Sequence, residues 1–509
     1  MILAVAALLV LSLVILYESW RKTFSHQYPL PPGPKKLPIV GNLFDVPKSG
    51  RVWLEYAELS RRYKSDIIHL GALGNSIVIL NSARIANELL DKRSSIYSSR
   101  PFAVMLGELT GWGSVFAFRP NDDLWKAQRK IMNQAMPIGE SQRFHPMLIR
   151  VTQDLLRDLP HFDILESLHT WAAVLIMDAT YGFNTEEAKA YLPTAKVATE
   201  SVVIAGTPGA FYVDQFPILK YLPEWFPGAG FKRKAREWSD MRSKMTEEPF
   251  RLTKERVAMG TARPSLASVA LEQMDHDQDL IKQEEVIKTS SVAAYGGGSD
   301  TTVTALQSFI WAMLMNPEVQ TNAQHELDQV LGVGNLPSFN EEASLPYITA
   351  VVRETLRYNP VAPIGVPHKL TEDDIYEGFF LPKGSVIVPN VWSMLYSVED
   401  YPQPHLFNPS RFLDANGNIN PKVKNPAASA FGFGRRICPG KSIALASLWI
   451  AVASILSCYS IEPELNENGK PNKPQTDSGL TLLNQVPPFK CRFVPRSKEI
   501  EVFLGLDSS

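Results

Sequence analysis

The sequence predicts a mainly α protein: one large helical domain with small β-sheets, preceded by one N-terminal transmembrane helix. Three observations predict it. From about Ala83 onward apolar residues recur at helical spacing for most of the chain, with proline and glycine at the breaks. β-like runs are few and short. Residues Met1 to Tyr17 carry no charge and are apolar throughout except Ser12.

The elements follow in order. Met1–Tyr17 would make roughly 25 Å of helix against a ~30 Å hydrocarbon core, with Tyr17 and Trp20 at the interface to complete the span. A cleaved signal peptide is the rival, but no Lys or Arg precedes the apolar run and its far end reads Tyr17-Glu18-Ser19-Trp20. Arg21, Lys22, Lys35 and Lys36 follow the span, which places the body on the cytosolic side. Pro29-Leu30-Pro31-Pro32-Gly33-Pro34 reads as a stiff spacer. The expected division is residues 1–20 as anchor, 21–40 as a basic, Pro-rich hinge and 41–509 as the body.

Tyr63 to Leu80 reads as a hairpin of two short β-like runs with glycines between them. Leu271 to Glu285 is acidic and polar, a surface connection ahead of a long helix from Glu284 to Asn316 that stops at Pro317. Tyr347 to Tyr358 reads as a helix stopped by Asn359-Pro360. Asp374 to Val391 and a stretch near Leu480 to Val494 are β-like, and Lys441 to Ser457 is helical.

Composition excludes several functions. The net charge of −2 rules out nucleic-acid binding through bulk positive charge. The three cysteines, Cys438, Cys458 and Cys491, have no C-x-x-C spacing, which disfavours a disulfide framework or a Cys-rich zinc site and fits a reducing compartment. The nine histidines show no metal-ligand spacing.

Chemistry concentrates in Phe431-Gly432-Phe433-Gly434-Arg435-Arg436-Ile437-Cys438-Pro439-Gly440. Cys438 stands just before a helix N-terminus, where unpaired N–H groups favour a thiolate. Gly434 permits a tight turn, Gly440 a close backbone approach, and Arg436 brings a cation. The spacing Phe-x-x-Gly-x-Arg-x-Cys-x-Gly resembles the haem-binding loop of the cytochrome P-450 superfamily. The resemblance implies that Cys438 is the proximal thiolate ligand of a haem b iron, within a loop that includes Phe431, Gly434, Arg436 and Gly440. It also implies the cytochrome P-450 fold and a haem-thiolate catalytic domain over 41–509.

Other motifs extend the resemblance. Glu354-Thr355-Leu356-Arg357 is similar to the superfamily's Glu-x-x-Arg, with Arg411 as the expected third partner. In the long helix, Gly296, Gly297 and Gly298 should each cost about 1 kcal/mol relative to alanine, so they mark either a break or a backbone passing close to a large ligand. Gly297-Gly298-Ser299-Asp300-Thr301-Thr302 resembles the family's oxygen groove, which implies that Thr301 hydrogen-bonds the dioxygen to be split and Asp300 relays protons from solvent. Trp125 and Arg129 at i, i+4 resemble a Trp-x-x-x-Arg pair for the haem propionates. Arg436 and His368 are further matches. Ser410 stands where many members carry an acid.

The resemblance covers the chain from anchor to final sheet and is nearest to fungal secondary-metabolism members. It implies a monooxygenase fed by a separate NADPH–cytochrome P-450 reductase and held in the endoplasmic reticulum membrane. Lys126, Lys130, Arg435 and Lys441 are a candidate docking face for the reductase. Four mostly apolar segments (Phe102–Phe118, Val202–Phe216, Val361–Val366 and Ser478–Leu483) are expected around the pocket, which suggests a lipophilic substrate: a terpenoid first, an aromatic or indole compound second. The segment Tyr221–Phe231 is expected to dip into the bilayer. A haem-thiolate isomerase or dehydratase is the alternative, and the Asp300-Thr301 pair argues against it. A cysteine hydrolase using Cys438 with His368 would leave the glycines and arginines unexplained.

Overall fold

The computed structural model describes residues 28–47, 50–72, 74–207, 209–464 and 483–505. The expected anchor, the hinge up to residue 27 and most of the fourth pocket segment, Ser478–Leu483, lie outside the described residues. Ten longer helices form the body: α1 (Val52–Tyr63), α2 (Asp123–Ala135), α3 (His145–Asp158), α4 (Ile164–Tyr181), α5 (Thr185–Gly206), α6 (Gly230–Ala258), α7 (Leu280–Met315), α8 (Pro317–Leu331), α9 (Pro346–Tyr358) and α10 (Lys441–Cys458). α10 is long and apolar enough to cross a membrane, but it is 78% buried and serves as a core helix. α4 and α10 are apolar on nearly every face because each is surrounded by other helices.

The strands are β1 (Ile67–Ala72), β2 (Asn75–Leu80), β3 (His368–Lys369), β4 (Asp374–Tyr376), β5 (Phe379–Leu381), β6 (Val386–Pro389), β7 (Tyr459–Pro463) and β8 (Cys491–Pro495). β1 and β2 form the expected hairpin, with Ile67 opposite Leu80. β2 runs parallel to β6, Ile77 beside Val386, and β3 closes the sheet. The patch from Asp374 to Val391 therefore divides between two sheets. β8 pairs with β7, a strand that the apolar run of α10 conceals in the sequence.

The Pro-rich run is laid against the body. Pro29 and Pro32 carbonyls accept from Phe380 N at 2.7 Å and His69 N at 3.0 Å. A Cβ at Gly33 would sit 2.1 Å from the His69 carbonyl oxygen, so no other residue fits there.

Glu354 and Arg357 on α9 are fully buried. Arg357 Nε and Nη2 donate to the two Glu354 oxygens at 2.7 and 2.9 Å, and Arg411 Nε to Oε1 at 3.2 Å. Asn408 N–H adds a fourth donor at 2.8 Å. The carboxylate is thus saturated by two cations and a backbone N–H, the condition under which burying it is tolerable.

Candidate functional site: the cysteine loop and its buried cations

The loop is set by one glycine. Gly434 has φ +51°, and a Cβ there would meet the Leu90 carbonyl oxygen at 2.3 Å. The turn it permits lets Cys438 N–H donate to the Phe431 carbonyl at 2.8 Å and brings the thiol to the threshold of α10. Gly440 differs from expectation: a Cβ there would lie 3.9 Å from Cys438 Sγ, ordinary contact, so the chain's own atoms do not demand glycine. The thiol also departs from expectation. The Gly440 N–H, Arg129 and Lys441 favour the thiolate, but burial outweighs them and pushes the Cys438 pKa up. Coordination to a metal ion reverses that balance, because a coordinating thiol is deprotonated outright.

Around the loop lies a ring of buried donors. Asp122 caps α2 by accepting from Trp125 N at 2.8 Å, which fixes the start of the helix that carries Trp125 and Arg129. Arg129 Nη1 donates to the Ile437 carbonyl at 2.6 Å, next to Cys438. Arg436 donates from Nε to Ser98 O (2.6 Å), from Nη1 to Phe116 O (2.9 Å) and from Nη2 to Arg119 O (2.8 Å). That leaves two of its five N–H groups. Burial and the neighbouring Arg129 lower its pKa to about 9. His368 on β3 is buried, its Nδ1–H donating to the Tyr97 carbonyl at 2.8 Å. Burial, Arg100 and Arg436 hold its pKa well below that of a free imidazole.

Arg100 is the site residue that the sequence motifs miss. It is buried and donates to Ala117 O, Val366 O and Pro367 O at 3.0, 2.6 and 2.8 Å. It ties the same backbone segments that Arg436 and His368 touch. Among the described residues, no carboxylate hydrogen-bonds Arg100, Arg129, Arg436 or His368. Trp125 Nε1–H is buried with no hydrogen-bond partner among the described residues. Buried cations are otherwise paired, so this set fits a bound dianion with acceptor oxygens.

The glycine-rich helix is unbroken, and each glycine has its own surroundings. A Cβ at Gly298 would lie 2.7 Å from Ile176 Cδ1, so Gly298 lets α4 pack on α7. At Gly296 the nearest neighbour is Trp112 at 3.7 Å, and at Gly297 no described atom outside its own helix backbone and chain neighbours lies within 4 Å. Thr301 Oγ1 donates back to the Gly297 carbonyl at 2.8 Å. Asp300 lies 3.9 Å from His169 Nε2 on α4. Among the described residues, no hydrogen bond or ion pair joins Asp300 or Thr301 to the cysteine loop.

The sequence profile of the Cytochrome P450 family matches residues 31–493. The chain belongs to the cytochrome P450 family. It is 52% identical to cytochrome P450 monooxygenase 98 of Postia placenta over 94% of this chain and 92% of that one. It is 40% identical to tryptamine 4-monooxygenase of Psilocybe cyanescens over 97% of both. The P450 family fixes the enzyme class, a haem-thiolate monooxygenase, and the source of electrons, a separate reductase drawing on NADPH. The fit of the residues to haem is good: a thiol at a helix threshold, unsatisfied donors for two propionate carboxylates, and an open helix face at Gly297.

Proposed function

We propose that this P450 hydroxylates a lipophilic small molecule at the cytosolic face of the endoplasmic reticulum, with Cys438 as the thiolate that would hold the iron of haem b. The observation that carries the assignment of the site is the carboxylate-free cluster of Arg100, Arg129, Arg436 and His368 beside that cysteine. Trp125, Arg129, Arg436, His368 and Arg100 hold the propionates. Phe431, Gly434 and Gly440 shape the loop. Haem supplies the activation of dioxygen. The chain's own residues keep the site dry, orient the substrate, and bring protons by way of Asp300 and Thr301.

Buried apolar side chains from the expected pocket segments, among them Val104, Met105, Leu106, Trp112 and Ala205, support a lipophilic substrate. Phe102 faces outward instead, 66% exposed. A terpenoid suits such a lining, and the relative named tryptamine 4-monooxygenase favours the aromatic or indole reading. Tyr212, Ile218, Tyr221 and Trp225 are exposed, Trp225 by 81%, and support contact of this face with the bilayer. Among the described residues, Arg435 and Lys130 are exposed and paired with no carboxylate, whereas Lys126 is engaged by Asp123 at 2.8 Å and Lys441 is half-buried. The reductase face accordingly centres on Lys130 and Arg435.

The test is microsomal protein with the reductase and NADPH, offered terpenoids and indoles. The expected product is one oxygen atom heavier and requires both NADPH and O₂. Product without either would point to the isomerase. Removing residues 1–28 should release much of the protein from the membrane, and a secreted, N-terminally cleaved protein would reverse the assigned topology.

A further inference from the structure

We propose that His169 on α4 is the residue that supplies protons to Asp300, a positioning partner one step further from the chemistry. This rests on the reading of Asp300 as a proton relay. Close packing of α4 on α7 at Gly298 and Ile176 brings the two side chains together, His169 Nε2 standing 3.9 Å from Asp300 Oδ1. The ring's orientation is fixed at its other nitrogen. His169 Nδ1 lies 2.7 Å from the Leu165 carbonyl oxygen, which can only accept, so Nδ1 carries a hydrogen throughout. Nε2 alone exchanges protons, and it is the atom that faces the carboxylate.

The position suits a donor fed from outside. His169 is in the second turn of α4, just beyond exposed Glu166, and its side chain keeps 28% exposure while Asp300 keeps 13%. An imidazole is the side chain that takes and releases a proton near neutral pH. In the step proposed, Nε2–H of the imidazolium passes its proton to Asp300 Oδ1, leaving neutral imidazole and a carboxylic acid. The acid gives its proton up on the Thr301 side, and Nε2 is recharged by a proton from solvent. No electrons move. The 3.9 Å gap exceeds hydrogen-bond length, so a small rotation of the Asp300 side chain precedes transfer.

The experiment compares wild type, His169→Gln, Asp300→Asn and the double variant as holoenzymes with reductase. His169→Gln should lower coupled product formation roughly tenfold, less than the ~10²-fold of a direct acid–base group. It should also raise the peroxide formed per NADPH and the solvent deuterium isotope effect, with the substrate-binding spectrum unchanged. In the Asp300→Asn background it should add nothing. Independently of turnover, the His169 Nε2 resonance in the reduced carbon-monoxide complex should move when Asp300 becomes Asn. Full coupling in His169→Gln, or losses that multiply in the double variant, would overturn the role of His169 alone. Wild-type turnover in Asp300→Asn would instead remove the relay itself, and the proposal with it.

Discussion

The guanidinium carbon of Arg436 lies 4.2 Å from the centre of the Trp125 ring. The contact joins the cysteine loop to α2 through a cation on an aromatic face, while the same guanidinium bonds three carbonyls from residues 98–119. Arg436→Lys keeps the charge but not the planar fork. It should cost roughly 2–4 kcal/mol of stability, through buried carbonyls left without donors, and lower the haem-to-protein absorbance ratio. Thermal unfolding and that ratio check it. Wild-type values for both would mean the three bonds contribute nothing.

Cys438→Ala should abolish the red-shifted absorption of the reduced carbon-monoxide complex. Cys458→Ala and Cys491→Ala should keep it, since Cys458 ends α10 and Cys491 opens β8, both outside the loop. The measurement is a difference spectrum on each variant, and the band surviving in Cys438→Ala would move the ligand assignment elsewhere.

Thr301→Ala removes a hydroxyl that, among the described residues, bonds to its own helix at Gly297 O. Folding and substrate binding should be nearly unchanged. NADPH consumption should continue while peroxide replaces much of the product. Counting product, peroxide and NADPH together decides it; full coupling would hand the role to another donor.

The two central glycines should respond oppositely. Gly298→Ala forces a methyl to within 2.7 Å of the buried Ile176 side chain, and overpacking of this kind costs roughly 1–3 kcal/mol. Gly297→Ala meets no described atom within 4 Å beyond its own helix backbone and chain neighbours and should gain up to about 1 kcal/mol of helix stability. Urea unfolding of the haem-free proteins separates them. Equal effects would mean that the α4–α7 contact is looser than the distance implies.

Much of this was legible because it is local. Pro360 ends α9 and Pro317 follows α7 one residue after Asn316, both visible as breakers. The cysteine loop declares itself through fixed spacing. What escaped is set by partners remote in the chain. α7 begins at Leu280 rather than Glu284, because Asp279 caps it with a side-chain bond to Lys282 N inside a run that reads as polar connection. Arg100 gives no local signal, since its partners at 366 and 367 lie more than 260 residues away. His169 reads as a solitary histidine until α4 is laid on α7. Its neighbours, Ser98-Ser99-Arg100-Pro101, show the residue but not its distant partners.

The parallel pairing of β2 with β6 sets an order of events during synthesis. Ile77 emerges from the ribosome roughly 300 residues ahead of Val386, its neighbour in the finished sheet. At ~5–20 residues per second that is a wait of about 15–60 s. For nearly all of it Arg100 and Trp125 lack His368, and for the whole of it they lack Arg436. The cofactor can be captured only by a nearly complete polypeptide, and a nascent chain stalled in the interval would present a half-built pocket for chaperones to shield.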